Sequence, residues 1–252
     1  MTRTKQILIL PVLAVLISMV AFSAQDAAAA KTIVVDEITC ESPAIGGAWN
    51  AVTSTCTVAT LVLGPTDKLT VGGGINFDIG TITSSGNIVN NGQINIASGG
   101  VITTSGKVLN YGVIDSVTGT ITNSGIFKNF NEVISSGTIT NGPTGVIKNF
   151  DIMTSTGTIT SSGAITNAAD GVLASSGVFT NTLNLTNKGT IMTTGTFTNS
   201  GPVANSGTIL NHGLITNSNT ITNNGEIFNL CGGSVTNSGT IAIHTVKNVC
   251  IA

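Results

Sequence analysis

A six-residue step recurs from Gly80 almost to the C-terminus, and it constrains the fold more than any other feature of the chain. Clear copies are Gly-Thr-Ile-Thr-Asn-Ser at 119–124 and Gly-Thr-Ile-Thr-Ser-Ser at 157–162. A step this short repeats one strand and one corner, so each coil can bury its apolar side chains only against the neighbouring coils. The repeat therefore predicts a stacked solenoid, whose function must lie on its faces.

Within each step the first residue, usually Gly, is taken as the corner, and the next four residues are numbered as positions 1 to 4. Position 2 is apolar in every step, from Ile82 through Phe179 to Ile241. Because strand side chains alternate, positions 2 and 4 are expected to point inward and positions 1 and 3 outward. This spacing also argues against disorder, which the low charge (8%) would otherwise allow.

Three kinds of step alternate along the chain and define three faces. Threonine recurs at position 3 of every third step, on what we call the threonine face: Thr83, Thr103, Thr122, Thr140, Thr160, Thr180, Thr198, Thr216 and Thr236. The next step carries inward Asn at position 4, which defines the asparagine face: Asn90, Asn110, Asn129, Asn149, Asn167, Asn187, Asn205 and Asn223. The last step carries mainly Ser there, which defines the serine face: Ser116, Ser135, Ser155, Ser175, Thr193, Asn211 and Asn229.

These separations predict an all-β, single-stranded parallel β-helix. Three six-residue steps form one triangular coil of 18–20 residues, and about nine coils stack. Stacked side-chain amides are expected to hydrogen-bond from coil to coil along the asparagine face. Extra residues at 97–99, 142–144 and 168–170 are expected to form short protruding loops.

Four segments are predicted along the chain: a signal peptide at 1–30, an N-terminal cap with short strands at 31–79, the solenoid at 80–243 and a C-terminal cap or tail at 244–252. The first follows from Arg3 and Lys5, an apolar run over 7–22 and small residues through Ala30. Cleavage is expected after Ala24 or within 27–30, which makes the mature protein secreted or surface-bound, without a membrane span. An uncleaved membrane anchor is the alternative.

The four cysteines form two local pairs, Cys40 with Cys56 before the repeat and Cys231 with Cys250 at its end. Export makes disulfides feasible, so we expect one bridge at each end of the rod, with free thiols as the alternative. No Cys or His spacing suggests a metal, and we expect no cofactor.

The Gly-x-Ile-x-Asn-x-Gly pattern over about 80–243 resembles the β-helical repeats of filamentous haemagglutinin-type adhesins and autotransporter passenger domains. The resemblance is one of architecture. Because the chain has long repetitive faces and no reactive constellation, we expect a secreted or cell-surface protein that is structural or adhesive and not an enzyme. Its expected partners are a cell surface, a matrix, a glycan or another copy of the chain. With 9 basic and 11 acidic residues and no basic stripe, nucleic acid is not an expected partner.

Two outward surfaces are candidate binding sites. The threonine face carries Thr-x-Thr pairs that resemble the array of insect antifreeze solenoids, which gives ice or carbohydrate binding as the alternative function. This candidate face adds the position-1 residues Thr81, Thr120, Thr138, Thr158 and Thr196 to its position-3 threonines, although Val101, Val178, Leu214 and Ser234 interrupt position 1. The β-propensity of Thr would equally explain the pattern.

The second candidate is an apolar docking stripe at position 3 of the serine face: Ile134, Ala174, Met192, Leu210 and Phe228. Exposed apolar patches often mark interaction surfaces. The alternative is a stripe half-covered by the C-terminal tail.

A polysaccharide-active enzyme is the third hypothesis. Lys128 and Lys148 are expected to stack, with Asp115, Glu132 and Asp151 around the next corner, but the charges are otherwise scattered. General acid–base chemistry needs acidic groups at a fixed separation, so no catalytic residue is assigned.

Overall fold

The computed structural model describes residues 29–250. The predicted signal peptide lies outside the described residues except for Ala29 and Ala30, so its cleavage stays a prediction. The one helix of the described part, α1, is four residues long, and no helix there has the length and hydrophobicity that crossing a bilayer requires.

The described residues form strands, nearly all of them paired in parallel, and one helix, α1 (Glu37–Cys40). The strands are β1 (Thr32–Val35), β2 (Ala48–Asn50), β3 (Thr55–Leu63), β4 (Lys68–Val71), β5 (Asn76–Ser84), β6 (Asn87–Asn90), β7 (Gln93–Thr104), β8 (Lys107–Asn110), β9 (Val113–Ser116), β10 (Thr120–Asn123), β11 (Ile126–Asn129), β12 (Glu132–Ser135), β13 (Thr138–Asn141), β14 (Val146–Asn149), β15 (Ile152–Ser155), β16 (Thr158–Ser161), β17 (Ala164–Asn167), β18 (Val172–Ser175), β19 (Val178–Asn181), β20 (Leu185–Asn187), β21 (Thr190–Thr193), β22 (Thr196–Asn199), β23 (Val203–Asn205), β24 (Thr208–Asn211), β25 (Leu214–Asn217), β26 (Thr220–Asn223), β27 (Glu226–Leu230), β28 (Ser234–Asn237), β29 (Thr240–Ile243) and β30 (Lys247–Val249).

The predicted parallel β-solenoid is confirmed, with about ten turns. The asparagine face is an 11-stranded sheet from β1 to β29. The other 19 strands form a second sheet, which comprises the serine and threonine faces together with the antiparallel β2. These two faces join because β3, β5 and β7 continue around the corner between them. Upstream of the first predicted step, β3 and β4 also pair in register with β5 and β6, so the stack includes residues that precede Gly80.

The core is the column of position-2 side chains. Those from Ile82 to Ile227 are at most 3% exposed, and Val235 and Ile241 at the C-terminal end are partly buried. Aliphatic groups stacked in this way supply the main driving force for folding, at about 25 cal/mol for each Å² of apolar surface removed from water. The alternation predicted for strands is therefore confirmed as far as β26, whereas position 4 is exposed in β28 and β29.

Glycine occupies the corners because neighbouring coils approach too closely for a side chain. A Cβ added to Gly157 would lie 2.0 Å from the carbonyl oxygen of Gly137 in the preceding coil. Neither corner has positive φ; among the described glycines only Gly46, Gly74, Gly99 and Gly232 do. Glycine is therefore required at these corners by close backbone packing and not by a left-handed backbone conformation.

The extra residues do not all form loops. Residues 143–144 and 169–170 lie in turns, as expected. The expectation of a loop at 97–99 is wrong, because β7 runs continuously from Gln93 to Thr104 and absorbs these residues as an irregularity opposite Ile79 and Thr81 of β5. A bulge of this kind keeps the ladder intact on either side of the insertion.

Side-chain amides hold the coils in register, as predicted for the asparagine face. Seven consecutive bonds run from the Nδ2 of one Asn to the Oδ1 of the next, from Asn90 to Asn223, at 2.7–2.9 Å. A second ladder, not predicted, occupies position 4 of the threonine face and links Asn181, Asn199, Asn217 and Asn237. Each buried bond contributes about 1 kcal/mol net and costs more if one partner is lost.

The N-terminal end is closed by a small irregular unit. Asp36 caps α1 through a capping box with Thr39, and β2 pairs antiparallel with β3. The disulfide between Cys40 and Cys56 joins α1 to β3. The open edge of the first coil is thereby partly covered, as a solenoid end requires.

Candidate functional site

The threonine face presents an uninterrupted column of nine threonines. Thr83 pairs with Thr103 and each later threonine pairs with the next, up to Thr216 with Thr236. Their side chains point outward and are half-buried or exposed. The parallel spacing of about 4.8 Å places one hydroxyl and one methyl group on each coil, which makes a regular surface.

The position-1 column of the same face is less regular. Thr120, Thr138 and Thr158 are in register, but Val101, Val178, Leu214 and Ser234 replace threonine in other coils. Complete Thr-x-Thr pairs in adjacent coils are therefore confined to 120–160, apart from the separate pairs at 81–83 and 196–198. The role of this face as a binding site stays a prediction.

The apolar stripe is continuous only in its C-terminal half. Ala174, Met192, Leu210 and Phe228 occupy one column in successive coils. Thr154 separates Ile134 from Ala174. Met192 is 36% exposed, whereas Ala174, Leu210 and Phe228 are half-buried.

The alternative, that the C-terminal tail half-covers this stripe, is wrong. Residues 247–249 form β30, which pairs with β27 as the next rung of the serine face. The tail meets the stripe only at its end, where the Lys247 ammonium lies 5.3 Å from the centre of the Phe228 ring and 2.6 Å from Glu226.

The charged residues form no paired-carboxylate site within 29–250. Lys128 and Lys148 are in register on the asparagine face, as predicted. Asp115 is opposite Ile134, and Glu132 is opposite Val113 and Ile152, so these carboxylates occupy different columns. Over the same residues there is no group of three or more His, Cys, Asp or Glu that could hold a metal ion.

Both predicted cysteine pairings are confirmed. Cys40 bonds to Cys56, and Cys231 bonds to Cys250. One bridge lies in the N-terminal unit, and the other joins the turn after β27 to the residue after β30.

An exposed aromatic ladder was missed in the sequence. Tyr111, Phe130 and Phe150 follow Asn110, Asn129 and Asn149 at one corner of three successive coils. Their ring centres are 4.8 Å apart and the rings are parallel within 7°. The sequence could have predicted this ladder, because the three aromatic residues recur with the same spacing as the Asn residues that precede them.

The hydroxyls of the serine face differ from the amides of the other two faces. Ser116, Ser135, Ser155, Ser175 and Thr193 are buried in successive coils, and their side-chain oxygens have no hydrogen-bond partner among the described residues. From Asn211 onward the column changes to amides, which bond to Asn229 and Asn248. The coils of the serine face are thus less strongly tied by side chains in the middle of the rod.

Comparison with protein families gives one match. A family model described as haemagglutinin repeat matches residues 57–142, 112–182 and 178–225, which together extend from 57 to 225. No curated protein and no solved structure matches the chain.

Proposed function

Because the chain belongs to the haemagglutinin-repeat family, we propose that it is a secreted or cell-surface protein with a structural and adhesive role and no enzymatic activity. The family match over 57–225 carries the proposal, since such proteins are typically extracellular or surface-exposed and generally non-enzymatic. We propose that residues 1–30 direct export as a signal peptide.

The stacked architecture supports adhesion in a specific way. A rod of about ten coils offers the same pattern of outward side chains many times along one face. Weak contacts that recur along a rigid surface act together, because the first contact raises the effective concentration of the next. A repetitive partner such as a cell surface or matrix fits a surface of this kind.

The apolar stripe is our candidate for the contact surface. Ala174, Met192, Leu210 and Phe228 place apolar groups on four successive coils, and Lys247 borders them at one end. Apolar groups that become buried on binding contribute most of the affinity in protein contacts, whereas exposed charges at the rim contribute little.

Binding to red cells and to immobilised matrix proteins tests this proposal. We expect the purified, oxidised protein to bind, and the double variant Met192→Lys/Leu210→Lys to bind at least tenfold more weakly. Thr198→Lys/Thr216→Lys is the matched control, because it places two lysines in neighbouring strands of the adjacent threonine face. Absence of binding by the wild-type protein would contradict the adhesive role, and release of reducing ends from glycans would contradict the non-enzymatic one.

The continuous threonine column supports a second candidate, the binding of ice. Nine threonines in register offer hydroxyl and methyl groups at one spacing along the whole face. We expect this activity, if it is the function, to appear as thermal hysteresis and ice-crystal shaping. The variant Thr122→Lys/Thr140→Lys/Thr160→Lys should abolish both and leave folding intact, because these side chains face water. Hysteresis equal to that of a buffer blank would exclude this candidate.

A further inference from the structure

We propose that the N-terminal end of the solenoid carries a binding site for neutral glycans, where the serine face meets the asparagine face. The inference rests on the proposed adhesive function and names the chemical class of one partner. It uses residues that lie outside both the threonine face and the apolar stripe. Three features carry it: a polar concavity, a half-exposed aromatic ring and the absence of cationic groups from the lining that the structure describes.

The polar concavity has a volume of about 500 Å³ and lies on the first coils of the serine face. Two outward columns of hydrogen-bonding side chains line it, namely Thr55, Asn76 and Gln93 in one column and Thr57, Asp78 and Asn95 in the other. Further down the same face the first column continues with Val113, Glu132 and Ile152, and the second continues with Asp115 and Ile134. The dense polar array is therefore specific to this end of the rod.

Hydrogen bonds within the array orient its side chains. The Gln93 amide donates to Asn95 Oδ1 at 2.7 Å, and Asn95 Nδ2 donates to Asp78 Oδ1 at 2.6 Å. Asn76 Nδ2 donates to the carbonyl of Thr53 at 3.0 Å. Within residues 29–250 the second carboxylate oxygen of Asp78 and the amide oxygens of Gln93 and Asn76 accept no hydrogen bond. These lining residues therefore keep free acceptors for the hydroxyl donors of a sugar.

A second concavity adjoins the first and shares Asn76 and Gln93 with it. Tyr111 lines this second space together with Gly74, Asn91 and Gly92, which belong to the preceding coils. Phe130 stacks on one side of the Tyr111 ring, and the ring also lines the concavity. The corner residue of the preceding coil is Asn91 rather than an aromatic residue, and Tyr111 remains 48% exposed.

The face of an aromatic ring is apolar and electron-rich, so it attracts the C–H groups on the flat side of a pyranose. The combination of one such face with several fixed polar groups is the usual composition of a small-ligand site. Among residues 29–250 no Lys or Arg lines either concavity, whereas Asp78 places a negative charge in the first. Sulfated or uronic-acid glycans would be repelled there, and neutral oligosaccharides are the glycans that fit.

A single fluorine label tests the site, because Tyr111 is the only tyrosine in the chain. Protein labelled with 3-fluorotyrosine gives one ¹⁹F resonance, which is followed during titration with neutral oligosaccharides of glucose, galactose, mannose and N-acetylglucosamine. We expect a saturable shift of this resonance with at least one of them and no shift with heparin oligosaccharide. A resonance that no neutral oligosaccharide moves, or that only heparin moves, would overturn the proposal.

Substitutions give the second arm, with binding measured by calorimetry. Tyr111→Ala and Gln93→Ala should each weaken binding at least tenfold. Phe150→Ala is the matched control, since it removes the other end of the aromatic ladder, which lines neither concavity, and should leave the affinity unchanged. Equal affinity of the wild type and the Tyr111 and Gln93 variants would overturn the proposal, and a circular-dichroism melt of each variant verifies that it is folded.

Adhesion to cells and matrix, measured on the same preparations, separates the two proposals. Wild-type protein that adheres to cells but binds no neutral oligosaccharide would overturn the glycan site and leave the adhesive function standing. Protein that does neither would overturn both.

Discussion

At the scale of the residue, stability depends most clearly on buried amides that have several partners. Asn149 accepts a hydrogen bond from Asn129 and donates to Asn167 Oδ1 and to the carbonyl oxygens of Asp151 and Val172. The side chain is 1% exposed. If the amide is removed, water cannot reach the groups that it bonded. Substitution of a ladder Asn is therefore expected to destabilise the fold more than substitution of most other residues.

We therefore predict that Asn149→Ala lowers the free energy of unfolding by about 2–3 kcal/mol. Asn149→Asp should cost more, because its buried carboxylate would face three oxygen atoms where the amide donated. Urea unfolding measures both, with the exposed Asn224→Ala as the control. A change below about 0.5 kcal/mol for Asn149→Ala would show that the ladder is not a source of stability.

At the scale of the element, the turn between β3 and β4 depends on one carboxylate. Asp67 accepts hydrogen bonds from the backbone N–H groups of Lys31 and Gly64, both at 2.8 Å. These bonds, first that from Lys31 and then that from Gly64, lower the pKa of Asp67 below its usual value of 3.8. The charged form is thus favoured in the folded chain, and it ties β1 and β3 to the turn.

Because the folded pKa is lowered, Asp67 contributes stability above the pKa of the unfolded chain and loses it as the pH falls through the folded value. We predict a constant difference in unfolding free energy between the wild type and Asp67→Asn from pH 7 to about pH 4. Below about pH 4 the difference should shrink. Urea unfolding at a series of pH values measures it, and an unchanged difference down to pH 2 would contradict the assignment.

Strands were the most predictable elements, and irregular segments were the least. Position-2 residues such as Ile121 and Phe179 are buried, as predicted, because the alternation of side chains along a strand is enough to assign them to the core. The pairing of β4 with β6 was not visible, because Lys68–Val71 precedes the regular glycine spacing. The concavity around Asp78 was not visible either, since it depends on how β2 and the long strands β5 and β7 meet in space. A role for Tyr111 could not be predicted, because in the sequence a single aromatic residue at a corner looks like any exposed side chain.

At the scale of the whole molecule, stability should vary along the rod. Each coil contacts only its neighbours, so opening can begin at an end and spread inward. The last coil buries its core residues less completely, since Val235 and Ile241 are only partly buried while Ile215 is 2% exposed. The N-terminal end, in contrast, is covered by α1 and β2 and has Cys40 and Cys56 fully buried.

We predict that amides of β28 to β30 exchange with deuterium at least tenfold faster than those of β10 to β25. Hydrogen-exchange mass spectrometry of the oxidised protein measures this gradient, and peptides from β3 and β4 serve as the internal comparison for the covered end. Uniform protection along the chain would instead indicate that the solenoid opens as one cooperative unit.

The side-chain amides of the three ladders are all oriented in the same direction along the axis of the rod. On all three faces the Nδ2 group belongs to the earlier coil and the Oδ1 group to the later one, as from Asn90 to Asn110, from Asn181 to Asn199 and from Asn211 to Asn229. The amide dipoles therefore add along the axis, with their positive ends toward the C-terminal coil, and each one polarises the next. The ladders therefore contribute to a difference in electrostatic potential between the two ends, independently of the formal charges there. An anion is therefore favoured by the ladders at the C-terminal end of the rod, and a cation at the N-terminal end.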